Sequence, residues 1–240
     1  MLLQSLFTQR IILVLIVQIW PILYGSYFAY KLLKRAKNRS TYTLGSFFIL
    51  FALTDVLANL SILSLYTPMP YFFYILAIYF FFFDHCFLII FSWLLANLEE
   101  KSPNWKYFLT IIFYGIISTY VFWIGLFFNG IIYDSTTNWV PQFSWFFSIF
   151  SWAFLVIFLI IPQIYFSFKL IKIFEGVNLK HRINMFIICS FIELGVVFVF
   201  FLYRVLIDNQ LFGAFYTVFV TIVSPIIAYL IYKSFVKELD

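Results

Sequence analysis

Charge is the scarcest property of this chain: only 10% of its 240 residues are Asp, Glu, Lys or Arg. Water-soluble domains carry about a quarter, so a soluble globular domain is excluded. Cysteine is nearly absent. The two present, Cys86 and Cys189, both fall in apolar runs, which excludes a disulfide framework and leaves the redox compartment open. Histidine is as rare, with His85 and His181 alone, and beside two scattered cysteines no metal site is expected. No serine-nucleophile motif, HExxH, phosphate loop or haem-ligand pair occurs. A non-enzyme without catalytic residues or cofactors is therefore expected. Short alternating strands are missing too, against a transmembrane β-barrel. The formal charge of +5 arises from basic residues that flank apolar runs and form no patch, so nucleic acid is not expected as a partner.

What is present is apolar: 65% of residues are hydrophobic. Runs of about 18 residues or more recur, each long enough to cross a hydrocarbon core of ~30 Å. The expected fold class is therefore an all-α integral membrane protein, a seven-transmembrane helix bundle forming one domain over 1–240. Polar punctuation, including Pro68, Pro70, Pro103 and Pro141, sets the spans at 11–32, 43–66, 70–97, 106–128, 143–171, 183–206 and 211–234. The first run, from Ile11, is too long for a signal-peptide core and is taken as the first span.

Basic residues orient the bundle. Lys31, Lys34, Arg35, Lys37 and Arg39 lie in the first connection, Lys101 and Lys106 in the third. Lys169, Lys172, Lys180 and Arg182 lie in the fifth, and Lys233 and Lys237 in the tail. Only Arg10 and Arg204 fall elsewhere, so the N-terminus is expected outside and the C-terminus in the cytosol. The longest outer connection, GIIYDSTTNWVPQ (130–142), is sized to cover an opening but not to form a domain.

Three acids lie deep within spans: Asp55 in SFFILFALTDVLANL (46–60), Asp84 and Glu193. Intramembrane charges face the bundle interior or a wet cavity, and no base lies at matching depth. They are expected to be protonated and hydrogen-bonded to a neighbouring helix, or to meet a cation or cationic ligand. His85 follows Asp84 directly, and the ~100° helical step is expected to part the two side chains. Arg204, nearer the outer surface, is expected to pair with Asp208 one turn on. Aromatic residues make up 25% of the chain, with 36 Phe. Runs such as IYFFFFD (78–84) are read as packing against lipid and neighbouring helices, their abundance reflecting an A+T-rich gene.

Several stretches carry a family resemblance. Gly25-Ser26 stands in the first span, LFALTDVLANL in the second, Trp123 in the fourth, Pro162 in the fifth, and SPIIAYLIYKSF (224–235) in the last. In order and placement they resemble the G-protein-coupled receptors, in flavour the nematode serpentine chemoreceptors. There Gly-Asn, LAxAD, a tryptophan, a proline and NPxxY occupy these places. The third span departs, ending LLANLEEKS with Glu99 and Glu100 and no Asp-Arg-Tyr. The sixth lacks its proline, no outer cysteine pair exists, and Tyr229 is one residue late. The resemblance implies a receptor that senses a small extracellular ligand and signals to a cytosolic protein. Asp55, Asp84, Glu193 and Ser224 would be ligand- or ion-binding residues. Pro162 and Pro225 would be hinges, and Lys169, Lys172, Lys180 and Arg182 the cytosolic contacts.

A second set points elsewhere. PILYGSYFAYK (21–31) aligns with PQIYFSFKLIK (162–172), and Asp55 falls near the depth of Glu193. This is similar to the PQ-loop and sugar-efflux transporters, whose seven spans form a three-plus-one-plus-three parallel repeat. A structural subunit of a membrane complex is the third reading; the expected residence of the chain is the plasma membrane, with an organellar membrane as the alternative. The orientation makes an immediate prediction: the sequons Asn38-Arg39-Ser40 and Asn59-Leu60-Ser61 stay unmodified. A glycan on Asn38, read by mass shift after glycosidase treatment, would invert the bundle.

Overall fold

In hydrocarbon every backbone N–H and C=O must find its partner inside the chain, so apolar runs of this length fold as helices. The computed structural model describes residues 2–35, 38–65, 67, 69–97, 104–174 and 176–235, with the side chains of 15 and of 17 onward in the first helix. Lys37, Pro68, Glu99, Glu100, Lys101, Pro103 and Lys237 lie outside the described residues, as does the side chain of Arg10. The long helices are α1 Leu2–Arg35, α2 Arg39–Leu63 and α3 Pro70–Ala96. They continue with α4 Asn104–Phe127, α5 Trp145–Ile173, α6 Val177–Val205 and α7 Gln210–Phe235. Helices α2 to α7 are six that are long and apolar enough to cross a membrane. Helix α6 starts six residues before the apolar run does. Its first turns, Val177–Arg182, are polar but still helical, because hydrogen bonding and not hydropathy sets where a helix begins.

The helices close into a ring: α1 packs on α2, α2 on α3, α3 on α5, α5 on α6, α6 on α7, and α7 returns to α1, with α4 laid against α3. Helix α3 is the interior member, with 72% of its apolar window buried inside the protein against 28% for α4 and for α7. Two aromatic layers hold it. At one end Phe82, fully buried, meets Tyr120, Phe154 and Phe201 at ring-centroid distances of 5.4, 5.1 and 5.3 Å. At the other, Phe91 meets Phe186 and Phe235 edge-on at 5.4 and 4.8 Å. Phenylalanine thus fills the protein interior as well as the lipid-facing surface, where Phe127, Tyr165, Phe168 and Leu211 stand exposed.

Without a hydrophobic force between helices in lipid, close approach and polar cross-links supply the association. At Gly25 an added Cβ would lie 3.1 Å from the Phe48 carbonyl oxygen, so α1 and α2 meet backbone to backbone there. Tyrosine hydroxyls make the cross-links. Tyr71 donates to the Gly125 carbonyl at 2.7 Å and Tyr114 to the Phe158 carbonyl at 3.0 Å. The second answers a specific need. Pro162 has no N–H to offer the carbonyl four residues back, which is that of Phe158, and a π-helical stretch, Leu155–Ile160, precedes the proline.

Beyond α4 the chain folds over one end of the ring. Strand β1, Ile131–Ile132, pairs antiparallel with β2, Gln142–Phe143, and between them Ser135–Thr137 form a 3₁₀ turn. Gly130 starts this hairpin against the end of α4. A Cβ there would sit 2.7 Å from the Ile124 carbonyl oxygen and 3.1 Å from the Phe147 Cβ, so backbone has to move to admit it. Gly130→Ala is expected to destabilise by about 1–3 kcal/mol. Gly195, with nothing within 4 Å of its added Cβ, is expected to tolerate alanine without loss; thermal unfolding in detergent compares the two.

Candidate functional site

The opening end of the ring contains two adjoining cavities. The inner, about 220 Å³, lies between α1, α2, α3, α6 and α7, and Asp55, Glu193 and Ser224 all border it. Asp55 is half-buried on α2 and Glu193 nearly fully buried on α6. Ser224 Oγ shares a 2.8 Å hydrogen bond with Tyr24 Oη of α1, so α7 is fastened to α1 one residue before Pro225. Three residues singled out from sequence thus meet at one cavity.

Asp84 does not reach it. Its carboxylate is fully buried in α3. The expectation that His85 would diverge from it is corrected: His85 Nδ1 is in contact with Asp84 Oδ1. Both Cα–Cβ bonds lean toward the helix N-terminus, and two side-chain torsions each suffice to close the angular gap. The same Nδ1 donates to the Phe81 carbonyl at 2.7 Å. Nε2 lies 3.8 Å from Glu193 Oε1, too long for a direct hydrogen bond. His85 therefore stands between an acid of α3 and an acid of α6. Among the described residues no three His, Cys, Asp or Glu side chains are placed to hold a metal ion.

The outer cavity, about 310 Å³, continues from the inner one and shares Gln18, Tyr74, Arg204 and Tyr216 with it. Its walls come from α1, α2, α3, α6, α7 and the hairpin loop, and α5 contributes no lining residue. The reason is visible in the ring, where α5 meets α3 and α6 through Phe154, Leu155 and Leu159 on the far side of Phe82 and Phe201. The expected Arg204–Asp208 pair is absent too. Helix α6 ends at Val205, leaving Asp208 exposed beyond it. Arg204 turns inward, its guanidinium carbon 5.2 Å from the ring centres of both Phe200 and Tyr203. Its Nε and the Tyr74 Oη are buried without hydrogen-bond partners, an arrangement that costs about 1–3 kcal/mol per group while unanswered.

The loop forms the roof. Tyr133 is buried beneath it, 5.1 Å from Tyr74 ring to ring and 5.9 Å from Trp139. Its hydroxyl lies 3.5 Å from Ser61 Oγ, and burial pushes its pKa above the ordinary value. Trp139 has φ 55°, a left-handed conformation that costs a bulky residue energy and concentrates at functional sites. Asp134 organises the turn, its carboxylate accepting from the Thr136 hydroxyl at 2.5 Å and from the Thr136 and Thr137 backbone N–H groups at 2.8 and 3.3 Å.

The other candidates divide. Pro162 is half-buried at the π-helical segment of α5, and Pro225 half-buried within α7. Lys169 is tied to α3, donating to Asn97 Oδ1 at 2.5 Å. Lys172 and Lys180 are exposed and Arg182 half-buried. Trp123 and Tyr229 face outward, 61% and 47% exposed. Sequence reasoning missed Tyr24, Tyr74, Tyr133, Trp139 and Tyr216, because no spacing distinguishes a lining tyrosine from the others in so aromatic a chain. It also missed the role of Arg204, for which a signal existed: an arginine inside an apolar run.

Comparison with protein-family models, curated proteins and solved structures finds no match for this chain.

The roof makes the pH prediction of the site. Hydrogen bonds from Thr136 and Thr137 hold the Asp134 carboxyl below the usual carboxylate range. A depressed pKa stabilises above the unfolded value and stops doing so as pH falls through the folded one. Protection of the Thr136 and Thr137 amides, relative to intrinsic exchange, is therefore expected to be full at neutral pH and to fall only below about pH 4. Asp134→Ala is expected to remove it several-fold at neutral pH; unchanged exchange would mean the carboxylate does not hold the turn.

Proposed function

We propose that this chain is a seven-span plasma-membrane receptor for a small molecule, with α1 as the seventh crossing. Its N-terminus and hairpin roof lie outside and its C-terminus lies in the cytosol. The observation that carries this reading is the roofed pair of cavities at the ring's centre, bordered by Asp55, Glu193, Arg204 and Ser224. Such a concave, largely apolar site with a few converging polar groups is what a ligand pocket requires. The orientation draws support from Lys31, Lys34, Arg39, Lys106, Lys169, Lys172, Lys180 and Lys233. All lie near helix ends opposite the roof, as the positive-inside bias demands.

Ligand entering from the outside would act on two weak points. Ser224, hydrogen-bonded to Tyr24, borders the inner cavity beside Pro225, and the α5 segment at Leu155–Ile160 and Pro162 is irregular. Helices with such interruptions have alternative packings of similar energy. Motion there would reach the exposed Lys172 and Lys180 and the neighbouring Arg182, the surface assigned to a cytosolic signalling protein. Lys169, engaged by Asn97, has a bundle role instead.

The carrier reading keeps one observation in its favour: Asp55 and Glu193 border a single cavity, as a matched pair in two repeated halves would. The positions that would have to correspond differ, however. Tyr24 is half-buried and hydrogen-bonded while Tyr165 is 64% exposed; Ser26 is exposed while Ser167 is 5% exposed. Helices α3 and α7, third members of the two supposed halves, are respectively the interior column and a peripheral helix. Asp55→Asn discriminates. A receptor is expected to shift its ligand concentration for half-maximal signalling by about tenfold, equivalent to about 1.4 kcal/mol, through altered packing of α2 around the inner cavity and without a lost ligand contact. Loss of proton- or cation-coupled solute uptake in proteoliposomes, with no signalling phenotype, would replace the receptor by a carrier.

A further inference from the structure

The outer cavity is electrostatically one-sided. Among the described residues lining it Arg204 is the sole charged one, and no acid is present. Its guanidinium Nε and the neighbouring Tyr74 hydroxyl are buried donors without acceptors, and the guanidinium has no acceptor chemistry of its own. Glu193 cannot serve. It precedes Arg204 by eleven residues on α6, roughly 16 Å along the axis, and with Asp55 it borders only the inner cavity. The remaining surface is uncharged: Ile62, Leu65, Trp139 and Val220 are apolar or aromatic, and Gln18, Ser61, Asn138, Thr217 and Thr221 add neutral polar groups. Of these, the buried Gln18 Oε1 is also unpartnered.

We infer that this cavity binds a small amphipathic monocarboxylate, its carboxylate on Arg204 and Tyr74 and its apolar body beneath Trp139. The inference deepens the receptor reading and rests on it only in taking the cavity for a ligand site. A carboxylate supplies the acceptors that both donors lack, and guanidinium engages it through two parallel hydrogen bonds. One guanidinium balances one negative charge. A phosphate monoester would bring a second charge with nothing to meet it, and an amine would meet a like charge. At about 310 Å³ the cavity is at the small end of ligand pockets, which limits the body to the size of a phenylpropyl or octanoyl group.

The test uses the full chain in phospholipid nanodiscs and measures binding of 3-phenylpropanoate, 3-phenylpropanamide and 3-phenylpropylamine, together with the acids from butanoate to octanoate. At least one acid is expected to bind saturably, with 3-phenylpropanamide and 3-phenylpropylamine at least tenfold weaker than 3-phenylpropanoate. Arg204→Gln is expected to abolish the preference for acid over amide, and Arg204→Lys to weaken acid binding while keeping its sign. Should Arg204→Gln unfold, as its melting curve would reveal, Tyr74→Phe and the wild-type comparison carry the test, Tyr74→Phe losing a few-fold in affinity for the acid alone. Amide or amine binding as tightly as the acid overturns the inference, as does failure of every acid to bind the wild-type chain. Binding without any cellular response to the same acid would leave this inference standing and remove the receptor reading.

Discussion

A carboxyl and an imidazole carried into the middle of an apolar helix require protein on every side, and the rest of the bundle is arranged around that requirement. Asp84 and His85 sit midway along α3, both with no exposed surface. Charged or strongly polar groups there are costly against lipid. Helix α3 therefore becomes the central column, and α2, α4 and α5 close directly upon it. Glu193 of α6 faces the same column, 3.8 Å from His85. The phenylalanines above and below seal it.

The second constraint is the backbone's own. Prolines and a π-helical stretch leave carbonyls without helical partners, and in hydrocarbon these have to be answered from elsewhere. Tyr114 answers for Phe158, and Trp152 adds a separate cross-link from α5 to the uninterrupted α6, donating its indole N–H to the Phe198 carbonyl at 3.1 Å. Cross-links of this kind contribute only about 0.6–2 kcal/mol each in membranes. They hold interrupted helices together without freezing them.

Two polar features escaped reading from spacing alone, for one reason. The ~100° step between neighbours on a helix describes Cβ directions, while Asp84 and His85 meet through their side-chain torsions. Arg204 was assigned to Asp208 by the four-residue rule, but that rule holds only inside a helix, and α6 stops between them. The deep acids were legible because a charge in an apolar run is conspicuous whatever surrounds it. Asp55, Glu193 and Ser224 share a cavity across three helices; the tyrosines beside them were hidden among 17 of their kind.

Composition and hydropathy by themselves determined a helical membrane protein, because a chain with 10% charged residues has no aqueous alternative and lipid allows few backbone solutions. They also picked out the acids that must face protein. Only the tertiary structure decided that α3 would be the interior column, that α5 would stay clear of the mouth, and that Arg204 would face inward under a tyrosine-lined roof. Those outcomes depend on which helix faces pack together, and apolar faces in lipid differ by too little in hydropathy for the sequence to rank them.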